Sequence, residues 1–185
     1  MIEEYLTDGE RRMHRAVEDL KKDLNTVRTG RASPTMLDNV VVEYYGATTP
    51  LNGLAQIAVS DPRQITIQPY DRSSIGAIEK AIQKADLGLT PTNDGILIRL
   101  AIPPLTEQRR KDLVKSVGKM VEEHKIAVRN GRRDVTDRLR ALEKEKTVSA
   151  DDIKRALDRV QKITDRVIAD VEAVGREKEA DIMAV

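Results

Sequence analysis

Apolar residues recur at Met13, Val17, Leu20, Leu24 and Val27, in steps of four, three, four and three. That stripe predicts an amphipathic helix over residues 2–28, with coiled-coil-like packing. Gly9 lies near its start and weakens it there by up to ~1 kcal/mol. The run Thr29-Gly30-Arg31-Ala32-Ser33-Pro34 ends it, because glycine frees the backbone and proline disfavours a helical Ser33. The period then changes. Residues 39–45 are β-branched and aromatic, are closed by Gly46, and predict a strand. Residues 56–60 and 64–68 predict two more, split by an Asp61-Pro62 turn. Residues 73–86 predict a helix with Ile75, Ile78 and Ile82 on one face and Gly88 as its C-terminal cap. Residues 96–102 predict a further strand, which Pro103-Pro104 stops. Thr106 then caps a helix over residues 106–146, about 60 Å long. Its apolar seam is Leu113, Val117, Met120, His124, Ala127, Gly131, Val135, Arg138 or Leu139, then Leu142. Ser149 with Asp152 resembles a capping box and opens the last helix, with Ile153, Leu157, Val160, Val167, Val171 and Val174 as its seam.

These elements predict an α+β chain of two domains. A helix at the N-terminus cannot bury its stripe alone, and neither can the two at the C-terminus. The simplest solution is a three-helix bundle built from residues 1–30 and 105–185. A small α+β domain, residues 31–104, is then inserted between its first and second helices. Two strands of chain join the insert to the bundle. Gly30, Arg31, Ala32 and Ser33 form one; Pro103, Pro104 and Leu105 form the other. A double tether of this kind predicts a hinge limited in direction.

Composition narrows the chemistry. The 185 residues contain no Cys, Phe or Trp, and 34% are charged while 2% are aromatic. Without cysteine there is no disulfide framework, thiolate nucleophile or Cys-ligated metal centre. Four tyrosines do not make a stacking platform for single-stranded nucleic acid. No apolar run approaches the roughly 18 residues of a membrane span. Residues 1–10 carry acids and no hydrophobic stretch, unlike a signal or transit peptide. The expectation is a cytoplasmic protein rich in long charged helices.

Net charge is only +1, but its distribution is uneven: residues 109–140 hold 11 basic and 5 acidic side chains. A stripe facing a polyanion needs such an excess. Arg129, Arg132 and Arg133 fall at i, i+3 and i+4 on one helix face, and guanidinium groups donate bidentately to phosphate. Arg109-Arg110-Lys111 forms a second cluster, and Arg28 with Arg31 a third. Folded or double-stranded RNA suits such a ridge better than single strands do. No nucleotide-binding loop is present, and neither His14 nor His124 has a metal-binding context, so no catalytic residue, metal or cofactor is expected. The residues by themselves leave two alternatives: a coiled-coil adaptor, and a hydrolase in the insert.

Several motifs, in one order along the whole chain, resemble the ribosome recycling factor family. They are Val27-Arg28-Thr29-Gly30-Arg31-Ala32-Ser33-Pro34, Val42-Glu43-Tyr44-Tyr45-Gly46, Ala77-Ile78-Glu79-Lys80-Ala81-Ile82, and Asp86-Leu87-Gly88-Leu89. Pro103-Pro104-Leu105-Thr106-Glu107, Arg109-Arg110-Lys111-Asp112-Leu113, and Arg129-Asn130 with Arg132-Arg133-Asp134 continue the series. The resemblance implies an L-shaped protein with an elongated three-helix bundle and a β/α/β domain. It implies a monomer that acts after peptide release and hydrolyses nothing itself. With elongation factor G and its GTP hydrolysis, such a factor splits the spent ribosome, freeing messenger and deacylated transfer RNA. The bundle would lie on large-subunit ribosomal RNA and the small domain near the small subunit. By motif, the implied RNA contacts are Arg132 first, then Arg129, Arg133, Arg110 and Lys111, with Arg28 beside the tether.

Overall fold

A computed structural model describes residues 1–184; Val185, the last residue of the predicted bundle segment, lies outside the described residues. The chain forms two compact units, one made of Met1–Arg28 with Glu107–Ala184 and the other of Thr29–Thr106.

The first unit is a bundle of α1 (Ile2–Asn25), α3 (Glu107–Lys144) and α4 (Ala150–Met183). On α1 the residues Leu6, Gly9, Met13, Ala16, Val17, Leu20 and Leu24 are buried, which is the predicted stripe extended by two turns toward the N-terminus. The helix stops at Asn25, three residues early, because the Thr26 hydroxyl donates to the Asp23 carbonyl (2.6 Å) and closes the last turn. On α3 the seam differs from the predicted one. Val128 and Leu139 are buried, whereas Ala127 and Arg138 are exposed. The small side chain of Ala127 would fill less of the core than Val128 does, and the Arg138 guanidinium instead stacks 5.6 Å from the Tyr5 ring centroid. On α4, Ala156 and Gly175 are buried, while Leu157 and Val174 are only partly so. Ser149 is the cap of α4, its hydroxyl accepting from the Asp152 N–H at 3.1 Å. Helix α3 ends at Lys144 because Lys146 takes a left-handed φ of 56° and the Thr147 N–H reaches back to the Leu142 carbonyl (3.2 Å).

Glycine brings these helices unusually close. A Cβ on Gly9 would overlap Cγ2 of Val135, and one on Gly175 would lie 2.5 Å from Cγ2 of Val121. A β-branched knob on α3 thus enters a backbone hole on each neighbour. Gly131 faces Met13, whose Cγ would stand 3.4 Å from an added Cβ. Its close approach is to α1, not to an outside surface.

The second unit holds a hairpin, a sheet and one helix. Strands β1 (Val41–Tyr44) and β2 (Ala47–Pro50) pair through Tyr45 and Gly46, whose φ values of 49° and 78° give a two-residue turn matching the strand twist. Tyr45 therefore belongs to the turn and not to the strand. Strands β3 (Ala55–Asp61), β4 (Gln64–Pro69), β5 (Pro91–Asn93) and β6 (Ile98–Ala101) form an antiparallel sheet in the order β3-β4-β6-β5. Helix α2 (Ile75–Lys84) follows a 3-10 turn at Arg72–Ser74, where the Asp71 side chain accepts from the Ser73 N–H. It ends before Gly88, since Asp86 already adopts the left-handed conformation at φ 51°. Val42, Ile65, Ile67, Ile78, Ile82, Ile98 and Leu100 are buried in one core. Strands β2 and β5 escape sequence reading because they are short and contain Pro, Thr and Asn.

Two stability predictions follow from these contacts. Gly118 lies within α3 with nothing within 4 Å of an added Cβ, so Gly118→Ala should raise stability by about 1 kcal/mol through helix propensity. Gly9→Ala gains the same propensity but overpacks Val135, and should lower stability by roughly 1–3 kcal/mol. Urea melts of both variants test this; equal effects of like sign would refute the packing account.

Asp94 provides the other. Its carboxylate accepts from the N–H groups of Leu97 (2.8 Å) and Ile96 (2.9 Å) and from the Arg99 guanidinium (3.0 Å). The two backbone donors, then Arg99, lower its pKa to about 2. A depressed carboxylate stabilises the fold above its unfolded pKa near 4, and that contribution disappears as pH falls through about 2. Asp94→Ala should therefore lower the melting temperature at pH 7 and make little difference near pH 2.

Candidate nucleic-acid interface

The candidate interface is built on α3, a helix of 38 residues whose apolar stripe is covered by both neighbours. The cover fixes its rotation, and with it the direction of every polar position. Two groups of charged side chains bear on the site. One clamps the helices together. Arg12 of α1 pairs with Asp134 of α3. Arg159 of α4 grips Glu3 of α1 with two nitrogens, Nη2 lying 3.1 Å from Oε2. Lys125 of α3 donates to Glu172 of α4 at 2.8 Å.

Arg129, Arg132 and Arg133 form the other group. None of the three has a carboxylate oxygen within 4.0 Å among the described residues. Asp134, the next residue after Arg133, turns to Arg12 of α1. Arg129 and Arg133 are exposed and Arg132 is half-buried. The Arg132 Nη1 donates to the Gln161 side-chain oxygen of α4 at 3.2 Å. The Glu172 carboxyl is held below its ordinary range chiefly by the Lys125 hydrogen bond, with Arg129 adding a weaker field.

Between α3 and α4 runs a shallow groove lined by Arg132, Arg133, Thr136, Arg140, Leu157 and Gln161. Arg140, not among the predicted contacts, lines the groove beside the ridge and also pairs with Glu143 at 3.9 Å. Its spacing of seven from Arg133 was the available signal. Gln161 carried none, because it lies on another helix. Three guanidiniums within two turns give up to fifteen N–H donors in fixed forks, which suits phosphate oxygens along a backbone.

The remaining predicted contacts stand apart. Arg110 and Lys111 lie on the same helix, about 33 Å from Arg132 at 1.5 Å per residue. Lys111 pairs with Glu107 at 3.2 Å, and Arg110 is half-buried, its Nε enclosed without a hydrogen-bond partner. Arg28 is exposed just past α1.

The tether residues fall at one end of the second unit. Gly30 takes φ 78°, open to glycine at little cost. The Ala32 N–H donates to the Pro62 carbonyl (2.7 Å), and Ser33 caps the 3-10 turn Pro34–Leu37. The Ile102 N–H donates to the Arg63 carbonyl (2.8 Å). Both chain passages are thus fastened to the same β3–β4 turn. Arg31 is exposed, as are Pro103 and Pro104, which carry no N–H to donate; Leu105 is half-buried.

The histidines serve the bundle. His124 Nδ1 lies 2.6 Å from the Met120 carbonyl and Nε2 lies 3.1 Å from Asp23, bracing α3 against α1. His14 is exposed, 3.5 Å from Glu10. Among the described residues no three His, Asp or Glu side chains are grouped to hold a metal. No described helix is long and apolar enough to cross a membrane.

The family model described as ribosome recycling factor matches residues 20–183. The ribosome-recycling factor of Bacillus subtilis is 52% identical over 185 residues, covering all of both chains. Those of Brevibacillus brevis and Halalkalibacterium halodurans are 51% and 53% identical over the same full length. A solution structure of the ribosome recycling factor superposes with a TM-score of 0.76 at 40% identity, over 100% of this chain and 98% of that one. A second structure models the T. thermophilus factor, with E. coli elongation factor G, bound to the E. coli post-termination complex. Its TM-score is 0.65 at 44% identity, with 98% of each chain covered.

Proposed function

This chain belongs to the ribosome recycling factor family, and on that premise we propose that it clears the ribosome after termination by holding ribosomal RNA with α3. The observation that carries the RNA contact is the ridge of Arg129, Arg132 and Arg133 on one face of α3, none of them with a carboxylate oxygen within 4.0 Å among the described residues. Binding energy comes from phosphate neutralisation and counterion release, so it falls steeply with salt. Arg110, Lys111 and Arg28 extend the basic path and reach phosphates farther along. The surface engaged is the large subunit, and the second unit works toward the small subunit.

The factor contributes no chemistry of its own. Elongation factor G supplies force through GTP hydrolysis, and the bundle transmits it as a rod. The two chain passages between the units act as the turning point. Turning is confined to residues 29–31 and 103–106, since Ala32 and Ile102 are fastened by backbone hydrogen bonds. Ribosomes set the place of action, so the cytoplasm is its compartment, and one copy suffices.

Arg132→Ala should weaken binding to large subunits and flatten the log–log salt dependence by about one unit per lost phosphate contact. Its melting temperature should fall only slightly, since Arg132 is half-buried and the substitution removes its hydrogen bond to Gln161. Unchanged binding in all three single variants and in the triple variant would remove the RNA foothold. The function as a whole is tested with purified post-termination ribosomes. Subunits should separate when the protein, elongation factor G and GTP are all present, and not when any one is omitted. Separation at the same rate without the protein would refute the assignment.

A further inference from the structure

The Arg132 guanidinium is held by an amide and not by a carboxylate, and this difference has a function. Arg132 Nη1 donates to Oε1 of Gln161 at 3.2 Å. Gln161 in turn donates from Nε2 to Oδ1 of Asp165, one turn along α4, at 2.7 Å. The carboxylate of Asp165 only accepts, so it draws the amide NH₂ to itself and leaves the amide oxygen facing α3. That oxygen only accepts as well, and the donor it meets is Arg132. The order Asp165, Gln161, Arg132 is therefore fixed by donor and acceptor chemistry.

Two guanidiniums that bridge helices of the bundle are held by carboxylates, Arg12 by Asp134 and Arg159 by Glu3. Those pairs cancel the charge they position. A glutamine uses one N–H of the fork and leaves the full positive charge, with the other donors open toward the groove. Free arginine carries large rotamer entropy that binding must remove, and a side chain ordered in advance loses less of it. Thr164, beside the relay on α4, is buried and donates to the Val160 carbonyl at 2.8 Å, so the helix under Gln161 is firmly packed.

We propose that Gln161, aimed by Asp165, is a positioning residue that orients the Arg132 guanidinium for phosphate without neutralising it. The proposal rests on the reading of Arg132 as an RNA contact. The test is equilibrium binding of the full-length protein to purified large ribosomal subunits over a series of KCl concentrations. The variants are Gln161→Ala, Gln161→Glu, Arg132→Ala and the double variant Gln161→Ala with Arg132→Ala, with thermal melts of each.

Gln161→Ala should weaken binding on the order of three- to tenfold, as expected for one lost orienting hydrogen bond. Its salt slope should stay that of the parent, because no charge is lost. Gln161→Glu holds Arg132 as firmly but cancels its charge, so it should weaken binding and flatten the slope by about one unit. In the Arg132→Ala background, removing Gln161 should change nothing further. A merely structural role would leave these slopes alone and would appear in the melts. If Arg132→Ala weakens binding while both Gln161 variants bind as the parent does, the positioning role is wrong and the RNA foothold stands. If Gln161→Ala weakens binding equally with and without Arg132, Gln161 acts by itself and the proposal fails. If Arg132→Ala binds as the parent does, the foothold fails and takes this proposal with it.

Discussion

The bundle depends on one constraint: α3 has a single apolar stripe that must be covered from both sides at once. Leu6 of α1, Val135, Leu139 and Leu142 of α3, and Ile153, Ala156 and Val160 of α4 belong to one buried cluster. Removing any helix would expose the stripes of the other two. In folded proteins most helical stability comes from packing of the apolar face and not from propensity, so burial of these stripes does the stabilising. The glycine holes at Gly9 and Gly175 draw the neighbours in until side-chain knobs on α3 touch backbone. Such contact resists sliding and twisting, and the result is a stiff rod with a defined outer face.

That fixed rotation sorts the charges. Positions on α3 that lean over the seams meet partners on α1 or α4 and serve as register clamps. Positions farther round meet none. Arg129 and Arg133 point outward, and Arg132 stands between, touching α4 through an uncharged amide. Exposed ion pairs contribute little to stability.

Much of this was legible in the sequence because helical periodicity survives folding. The stripe of α1 and the capping of α4 by Ser149 follow from local rules, whereas α1 stops at Asn25 through Thr26 and not at Gly30. The errors have physical causes. Spacing places Ala127 in the α3 seam and leaves Arg138 or Leu139 open; a seven-residue repeat drifts against a 3.6-residue helix, and the core takes Val128 and, of the two alternatives, Leu139. Strands β2 and β5 are held by their partners and not by propensity, so single residues such as Thr48 or Asn93 gave no sign of them. The Arg ridge was visible as spacing. The amide that joins it was not, since Gln161 lies 29 residues from Arg132.

The fastening of both chain passages to the turn at Pro62 and Arg63 also bears on how the bundle assembles. Helix α1 must find α3 across residues 29–106, a long loop to close. Once the second unit has folded, Ala32 and Ile102 are held on adjacent residues of one turn. The loop then behaves as one of about ten residues, some three halvings shorter, which lowers the closure entropy by about 2 kcal/mol. The inserted unit thereby acts as a template that converts a distant encounter into a nearly local one. A bundle interrupted by some eighty residues can then fold with the kinetics of a helical hairpin with a third helix laid alongside.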